Sequence, residues 1–358
     1  MRRLVVAVLV LVAATAACAP SPAGSSDRTA RILTGAPSSL DPAIEGDAGS
    51  AAITAQLFES LTTFDSDLRL QPALAESWQF DPGGLRITFR MRPGLTFSDG
   101  SPLRPSDVVR SWLRLIDPRT PSPLASLAID IAGAEAYLRG QSSDPASVGL
   151  HADDAANTLT VDLERPASDF PNIVSGPTFA IVPPGVGTDP AALEPGASFV
   201  SSGGYVLSGT TDTGLTLKAN PRYWAGQPAI GTIELVGDLG GRSEVDAFQA
   251  GELEYTPLNG ADAPWIAYDK TLGPQLRQVA SLSTEYYGFD TSRPPFDDVR
   301  VRRAIGAARL AAVSRPAGSG VPPARGFRGS LTSGQTCSSI RAKANFATTT
   351  CPRQTGRR

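Results

Sequence analysis

The histidine content limits the acid–base chemistry that this chain can perform. His151 is the only histidine among 358 residues, and it lies beside Asp153 and Asp154 in a polar stretch. A Ser–His–Asp triad would need this histidine, but no Gly-x-Ser-x-Gly segment occurs in a plausible setting. We therefore predict no catalytic residue, and we interpret His151 as a surface-loop residue.

Possible metal ligands are equally sparse. Cysteines occur only at Cys18, Cys337 and Cys351, so the long middle of the chain has no thiolate ligand and no disulfide framework. Pairing of Cys337 with Cys351 after export is left open. The acidic residues are scattered, and no pair of carboxylates typical of a glycosidase stands out. The sequence predicts neither a metal site nor a cofactor.

Cys18 is a third candidate for chemistry because it follows an export signal. Arg2 and Arg3 precede an apolar run over residues 4–14. Such a run is too short for a comfortable transmembrane helix and is typical of a cleaved signal peptide. Residues 15–18 read Thr-Ala-Ala-Cys and resemble a lipobox, in which the cysteine becomes acylated.

Two other outcomes of export are left open, because Thr15 stands where lipoboxes usually have an aliphatic residue. Ordinary cleavage after Ala16 would leave Cys18 unmodified, and failure to cleave would leave a weak anchor. Our leading prediction is a signal peptide over residues 1–18 that ends in an acylated cysteine. A Pro/Ser/Gly-rich flexible tether over residues 19–30 is expected to follow.

The composition is that of a globular protein with an uneven distribution of charge. The chain is long enough for two domains, and 41% of its residues are hydrophobic and 19% are charged. The net charge of -3 gives no reason to propose a nucleic-acid partner. Residues 311–358 carry eight basic and no acidic side chains, which leaves a charge of -11 on the first 310 residues. We expect this change in composition to mark a boundary in the chain.

Hydrophobic periodicity predicts strands and helices across the body of the chain. We expect helices over residues 50–61, 106–115, 243–250 and 297–308, mostly helical structure over residues 117–141, and strands over residues 31–34, 85–91, 158–163, 179–184, 215–218 and 232–236. Ser106 is the expected N-cap of its helix. Gly251 is the expected C-terminal cap of the helix over residues 243–250.

Several motifs recur along this scaffold. They are residues 56–62 (QLFESLT), 70–78 (LQPALAESW), 85–94 (LRITFRMRPG), 97–100 (FSDG), 107–109 (DVV), 220–226 (NPRYWAG), 286–291 (YYGFDT) and 294–305 (PPFDDVRVRRAI). Residues 202–207 (SGGYVL) add a weaker match that lacks a proline. In this order, the motifs resemble the family 5 extracellular solute-binding proteins, which are the peptide-, nickel- and oligopeptide-binding receptors of ABC importers.

The resemblance implies an α/β fold with a mixed-sheet lobe of the periplasmic-binding-protein type (type II, cluster C) and an incomplete second lobe. It implies a first lobe over residues 31–284, followed over residues 285–310 by a hinge strand and the start of the second lobe. The resemblance stops near Ala308. We expect residues 311–358 to be a disordered basic tail, and our hypothesis for its origin is a frame change or a truncation.

The function that the resemblance implies is the capture of extracellular peptides in a cleft between lobes that close by a hinge motion. The loaded receptor then delivers the peptide to ABC permease subunits. We expect an exported monomer that is lipid-anchored to the outer face of the cytoplasmic membrane. The ligand stays open among peptides, nickel chelates, haem and sugars, because fold does not fix function. Two other hypotheses stay open: a membrane-tethered remnant without ligand affinity and, more weakly, a secreted hydrolase.

The resemblance also suggests ligand-binding residues. They are Phe58, Glu59, Gly203, Tyr205, Trp224, Phe289 and Asp290. Packing against the core is the favoured alternative for the aromatic rings of Phe58 and Trp224. Glu59 is either a carboxylate at the edge of the cleft or a solvated helix charge. Asp290 departs from the family, which usually has asparagine at that position.

Overall fold

The computed structural model describes residues 28–188, 193, 199–211, 214–258, 262–278 and 288–313. The chain divides into two compact units, residues 1–259 and 260–358, and each unit is described by itself. The predicted signal peptide with Cys18, most of the predicted tether, residues 285–287 of the predicted hinge strand and the tail after residue 313 lie outside the described residues. The lobe boundaries expected at residues 284 and 310 stay predictions.

Strands and helices alternate along the described ranges. The β-strands are β1 Thr29–Leu33, β2 Thr62–Phe64, β3 Leu70–Pro72, β4 Ala75–Phe80, β5 Arg86–Met91, β6 Leu150–Asp153, β7 Thr158–Asp162, β8 Tyr205–Thr211, β9 Gly214–Ala219 and β10 Thr232–Val236. The α-helices are α1 Ala48–Leu57, α2 Pro105–Leu115, α3 Ala134–Leu138, α4 Phe170–Ile173, α5 Glu244–Gln249, α6 Ala263–Ile266 and α7 Val299–Val313. Short 3₁₀ turns occur at Ala125–Ala128, Pro145–Ser147, Pro177–Phe179 and Gly273–Gln275.

One mixed sheet in the first unit has the strand order β1-β10-β9-β8. β1 is parallel to β10, whereas the other neighbouring strands are antiparallel. Alternate residues such as Leu217 and Ile233 point to one face, where they pack with Ile53 and Leu57 of α1. β10 has the bounds predicted from the sequence, and β1 begins at Thr29 and so occupies the end of the predicted tether.

A second, antiparallel sheet has the order β4-β5-β7-β6 and supports the larger core of the first unit. The alternation predicted for β5 is confirmed, because Ile87, Phe89 and Met91 are buried on one face. Trp112 of α2 and Phe170 of α4 complete this core, with their ring centroids 6.2 Å apart. The short pair β2-β3 forms a separate two-stranded sheet.

Local sequence explains where the two main helices begin. The Asp47 side chain caps α1 by accepting a hydrogen bond from the backbone N–H of Ser50 at 2.8 Å. α2 begins with Pro105 at its first turn, after Arg104 as N-cap. The prediction that Ser106 caps α2 was wrong, because its hydroxyl donates to Asp154 at 2.8 Å instead.

Three other predictions of secondary structure need correction. The helix expected over residues 50–61 is α1, which ends at Leu57 because the chain becomes extended at Phe58. The strand expected over residues 179–184 is absent; this buried segment leaves a 3₁₀ turn and continues as irregular chain. Residues 117–141 are mostly turns, and only α3 is α-helical there.

The second unit contains α6 and α7 within its described ranges. The helix predicted over residues 297–308 is confirmed as α7, which begins at Val299. Its expected apolar face is only partly covered, since Ile305 is 37% exposed. Gly288–Asp290, the described end of the predicted hinge strand, is irregular. Among the helices in the described part of the chain, none has both the length and the apolar character needed to span a bilayer.

Candidate functional site

The segment after α1 brings the first two predicted ligand residues, Phe58 and Glu59, next to each other. Phe58 is 2% exposed and packs in the core of the mixed sheet, 5.8 Å from the ring of Phe199. Its backbone is extended, with φ -130° and ψ 145°, so the next residue points away from this core. Phe58 is therefore a packing residue, as its favoured alternative proposed.

Gly203 lies against the same segment through backbone contact. Its N–H donates to the carbonyl of Leu57 at 2.8 Å. A Cβ at this position would lie 2.6 Å from the carbonyl oxygen of Gln56, which is closer than real Cβ contacts allow. Only glycine permits this approach, so the residue is needed for the crossing of two chain segments.

Ser202 fixes the position of Glu59. The Ser202 hydroxyl accepts a hydrogen bond from the Glu59 N–H at 3.0 Å and donates to the carbonyl of Ile181 at 2.6 Å. The Glu59 carbonyl in turn accepts from the Ile181 N–H at 2.9 Å. Two distant stretches of sequence, around Ile181 and Ser202, thereby hold the Glu59 backbone in one position.

Tyr205 is a buried scaffold residue at the start of β8. It is 8% exposed, and its hydroxyl donates to the carbonyl of Ile230 at 3.1 Å. Burial raises the pKa of this phenol above its ordinary value. The ring is therefore committed to the core of the mixed sheet.

The Glu59 side chain meets the 220–226 motif. The hydroxyl of Tyr223 donates to Glu59 Oε2 at 2.5 Å, although 164 residues separate the two. Burial is the main cause that raises the pKa of the Glu59 carboxyl, and the bond from Tyr223 opposes it. The pKa of Tyr223 is also raised, first by burial and then by the neighbouring carboxyl. Glu59 is therefore a half-buried carboxyl with a raised pKa, which differs from the solvated helix charge that we considered.

Asn220 positions this motif. Its side chain is fully buried and donates through Nδ2 to the carbonyl of Gly203 at 2.9 Å. Its Oδ1 accepts the N–H of Arg222 at 2.9 Å, which forms the turn that leads into Tyr223. The same buried asparagine thus joins the Gly203 crossing to the aromatic pair.

Trp224 lies beside Tyr223, with ring centroids 5.7 Å apart, and packs partly buried against the larger core. The guanidinium carbon of Arg92 is 4.1 Å from the centroid of the Trp224 ring, which is a cation–π contact. The Trp224 indole Nε1 is buried and makes no hydrogen bond of good geometry among the described residues, but it lies near enough to Glu59 to help lower the pKa of that carboxyl. We call Glu59, Tyr223, Trp224 and Arg92 the carboxyl–aromatic cluster.

The carboxyl–aromatic cluster offers recognition chemistry. It combines a carboxyl of raised pKa, a phenol, an indole and a guanidinium, which are groups suited to hydrogen bonding and stacking with a ligand. Within the described ranges, no group of three or more His, Cys, Asp or Glu residues is placed to hold a metal ion. Sequence reasoning missed Arg92, because an arginine that follows a strand has no distinctive local signal.

Phe289 and Asp290 belong to the second unit, where they make only local contacts among the described residues. The Phe289 ring lies 5.1 Å from that of Phe296. Asp290 accepts hydrogen bonds from the Ser292 hydroxyl at 2.5 Å and N–H at 3.0 Å, and these bonds lower the pKa of its carboxyl. Their contact with ligand stays a prediction.

His151 lies on the edge strand β6, so its interpretation as a loop residue was wrong, although its side chain is exposed. Its Nε2 is 3.1 Å from Oδ2 of Asp162, which also binds Arg86. The pKa of Asp162 is lowered, chiefly by Arg86 and less by His151. These contacts describe a surface ion-pair group and supply no nucleophile.

Comparison with known proteins identifies the class. The sequence model of the bacterial extracellular solute-binding proteins, family 5 middle, matches residues 69–309. This match covers more than half of the chain, and the chain therefore belongs to that family. The family expected from the motifs is confirmed, and so is the α/β fold of the type II periplasmic binding proteins.

Individual relatives give more detail. The probable deoxycholate-binding periplasmic protein YgiS of Escherichia coli K12 is 35% identical over 274 residues, which are 75% of this chain and 50% of that protein. The periplasmic oligopeptide-binding protein OppA of the same strain is 31% identical over 83% of this chain and 55% of its own length. The chain thus spans about half the length of the curated relatives it matches.

Solved structures agree with this assignment. The murein tripeptide binding protein MppA of Escherichia coli superposes with a TM-score of 0.71 at 27% identity, over 78% of this chain and 55% of that one. The Haemophilus influenzae OppA complex with the peptide RPPGFSPFR gives a TM-score of 0.68 at 26% identity, over 78% and 55% of the two chains. The fold of this protein is therefore shared with peptide-binding proteins.

Proposed function

We propose that this protein is the substrate-binding component of an ABC import system, which captures extracellular peptides and delivers them to a membrane permease. The family match over residues 69–309 carries the proposal. It is supported by relatives and solved neighbours whose names specify oligopeptides or murein peptides. These relatives are binding proteins, which also argues against the secreted-hydrolase hypothesis.

The carboxyl–aromatic cluster is our proposed ligand surface of the first unit. Two of the sequence-predicted residues, Glu59 and Trp224, belong to this cluster and carry polar side-chain atoms. The Glu59 carboxyl accepts a hydrogen bond from the Tyr223 hydroxyl, and the Trp224 Nε1 makes no hydrogen bond of good geometry among the described residues. Phe58, Gly203 and Tyr205 then support the surface from behind rather than contact ligand. Within the second unit, taken by itself, we propose Phe289 and Asp290 as ligand-binding residues.

Titration calorimetry on the full chain tests the function. We expect saturable heat with an oligopeptide such as RPPGFSPFR, and a weaker or absent response to deoxycholate, the solute named for YgiS. Trp224→Phe should reduce peptide affinity, whereas Trp265→Phe, at a half-exposed tryptophan of α6, serves as the matched control. Absence of saturable heat with every peptide would contradict the proposal and favour the non-binding remnant.

We further propose export and anchoring through an acylated Cys18, as a monomer on the outer face of the cytoplasmic membrane. Support comes from the lipobox-like residues 15–18 and from relatives named as periplasmic. Metabolic labelling with a radioactive fatty acid should mark the wild-type chain and leave Cys18→Ser unlabelled. Equal labelling of both chains would refute acylation at this cysteine.

A further inference from the structure

Arg92 has an unusually fixed backbone for a residue that follows a strand. Its N–H donates to the carbonyl of Leu74 at 2.9 Å. Its carbonyl accepts a hydrogen bond from Nδ2 of Asn157 at 3.1 Å. The residue is therefore anchored from both sides just beyond the end of β5.

The Arg92 side chain is fixed as well. Its Nε donates to the carbonyl of Ala73 at 2.6 Å, and its guanidinium carbon lies 4.1 Å from the centroid of the Trp224 ring. Together, the hydrogen bond and the cation–π contact restrict the orientation of the guanidinium. An arginine side chain without such contacts would lose considerable rotamer entropy on binding a ligand. The group is thus preorganised before any ligand arrives.

Among the described residues, no acceptor receives a hydrogen bond from the two terminal amino groups of Arg92. Arg92 as a whole is partly exposed, and neither amino group is among the buried side-chain atoms that lack a partner. No carboxylate in the described ranges forms an ion pair with Arg92. Its neighbour Arg90, in contrast, donates from Nε to Glu76 at 2.6 Å.

The surrounding cluster leaves the charge of Arg92 uncompensated. Glu59 is engaged by the hydroxyl of Tyr223 at 2.5 Å rather than by the guanidinium. Burial raises the pKa of the Glu59 carboxyl above its ordinary value, and within the described residues this carboxyl makes no ion pair with Arg92. A planar guanidinium with two free, parallel N–H donors matches the two oxygens of a carboxylate.

We propose that Arg92, held against Trp224, is a docking point for a carboxylate of the bound solute. The inference rests on the proposed function, in which the solute is a peptide. A peptide presents carboxylates at its C-terminus and on acidic side chains, and both have the chemistry that this guanidinium recognises. The interaction adds affinity because the arginine needs little reordering.

Calorimetry with three probes tests this on the full chain: Ala-Ala-Ala, its C-terminal amide, and the amide of Ala-Glu-Ala. We expect the wild type to prefer at least one carboxylate-bearing probe over the uncharged-tail amide by about tenfold or more. A preference for the first points to the C-terminus, and a preference for the third points to an acidic side chain. Arg92→Gln should abolish the preference, whereas Arg90→Gln, two residues away and paired with Glu76, should keep it.

A second measurement separates failure of this inference from failure of peptide binding. The guanidinium Nε–H signal of Arg92, assigned by its absence in Arg92→Gln, is followed by NMR during titration with acetate. We expect a saturable shift that equal ionic strength of chloride does not produce, even if no peptide binds. A carboxylate preference that survives in Arg92→Gln, or an Arg92 signal unmoved by acetate, would overturn the proposal.

Discussion

Glu45 is a buried carboxyl whose protonation is coupled to folding. It is 2% exposed, and the hydroxyl of Thr54 donates to its Oε2 at 2.9 Å. Burial is the main cause that raises its pKa from 4.5 to about 7, and the nearby carboxyls of Asp47 and Asp41 add to the rise. The bond from Thr54 acts in the opposite direction but is too weak to compensate.

The sign and size of the effect follow from this shift. A group whose pKa is higher in the folded state stabilises the fold most fully below its unfolded pKa, and this contribution is lost as pH rises through the folded pKa. For Glu45 the window therefore runs from 4.5 to about 7. A change of one in pKa corresponds to about 1.4 kcal/mol, so the free energy of unfolding should fall by roughly 3 kcal/mol across this window.

Urea unfolding of the full chain at a series of pH values measures this loss. Glu45→Gln preserves the hydrogen bond from Thr54 and removes the titration, so its stability should decline less between these pH limits than that of the wild type. Glu59 titrates in the same direction, and for that reason the test is the difference between the two proteins. Asp47, whose pKa is lowered to about 2, changes charge outside the window.

Equal slopes of stability against pH for Glu45→Gln and the wild type would refute the reasoning. Glu135→Gln, on an exposed helix face, is the control.

Three further substitutions test the architecture by chemical denaturation. Arg114→Met removes one partner of the buried, bidentate ion pair with Asp41 and should cost about 3–5 kcal/mol, because an unpaired charge stays buried. Gly203→Ala places a Cβ 2.6 Å from a backbone oxygen of the last turn of α1 and should cost about 1–3 kcal/mol or more through forced displacement. Tyr223→Phe leaves the half-buried Glu59 carboxyl without its donor and should cost about 1–3 kcal/mol.

Two of these substitutions, Arg114→Met and Gly203→Ala, have a matched control in the chain. Arg139→Met removes an arginine that is 64% exposed and pairs with the exposed Glu135, so it should change stability by less than about 1 kcal/mol. Gly209→Ala adds a Cβ that meets no atom within 4 Å. A Gly203→Ala protein as stable as Gly209→Ala would contradict the close crossing, and an Arg114→Met protein as stable as Arg139→Met would contradict the buried pair.

Regular elements with clear periodicity could be predicted from the sequence. β10 has its predicted bounds, because the alternation of apolar and polar residues begins and ends with the strand. β5 was predicted from the same kind of alternation, and its apolar residues Ile87, Phe89 and Met91 are buried. The strand expected over residues 179–184 failed for a physical reason. An apolar run indicates burial, but burial alone does not supply a neighbouring strand with which to pair.

Prediction of the site was limited by long-range contacts. The motifs singled out Phe58 and Gly203, but their roles as packing and crossing residues depend on neighbours distant in sequence. The contact between Glu59 and Tyr223 spans 164 residues. Arg92 was overlooked because its proposed role depends on two amino groups that pair with no described residue, and no local pattern encodes that.

The position of Glu59 follows from the way the chain passes between two separately packed cores. Leu57 and Phe58 belong to the core of the mixed sheet, whereas Leu61 belongs to the larger core of the first unit. A polar residue between these anchors cannot enter either core without losing hydrogen bonds, so it remains at the junction and meets Tyr223. Moving it would require displacement of apolar residues in both cores. We therefore expect a ligand that binds the carboxyl–aromatic cluster to meet groups already held in place, which lowers the entropy lost on binding.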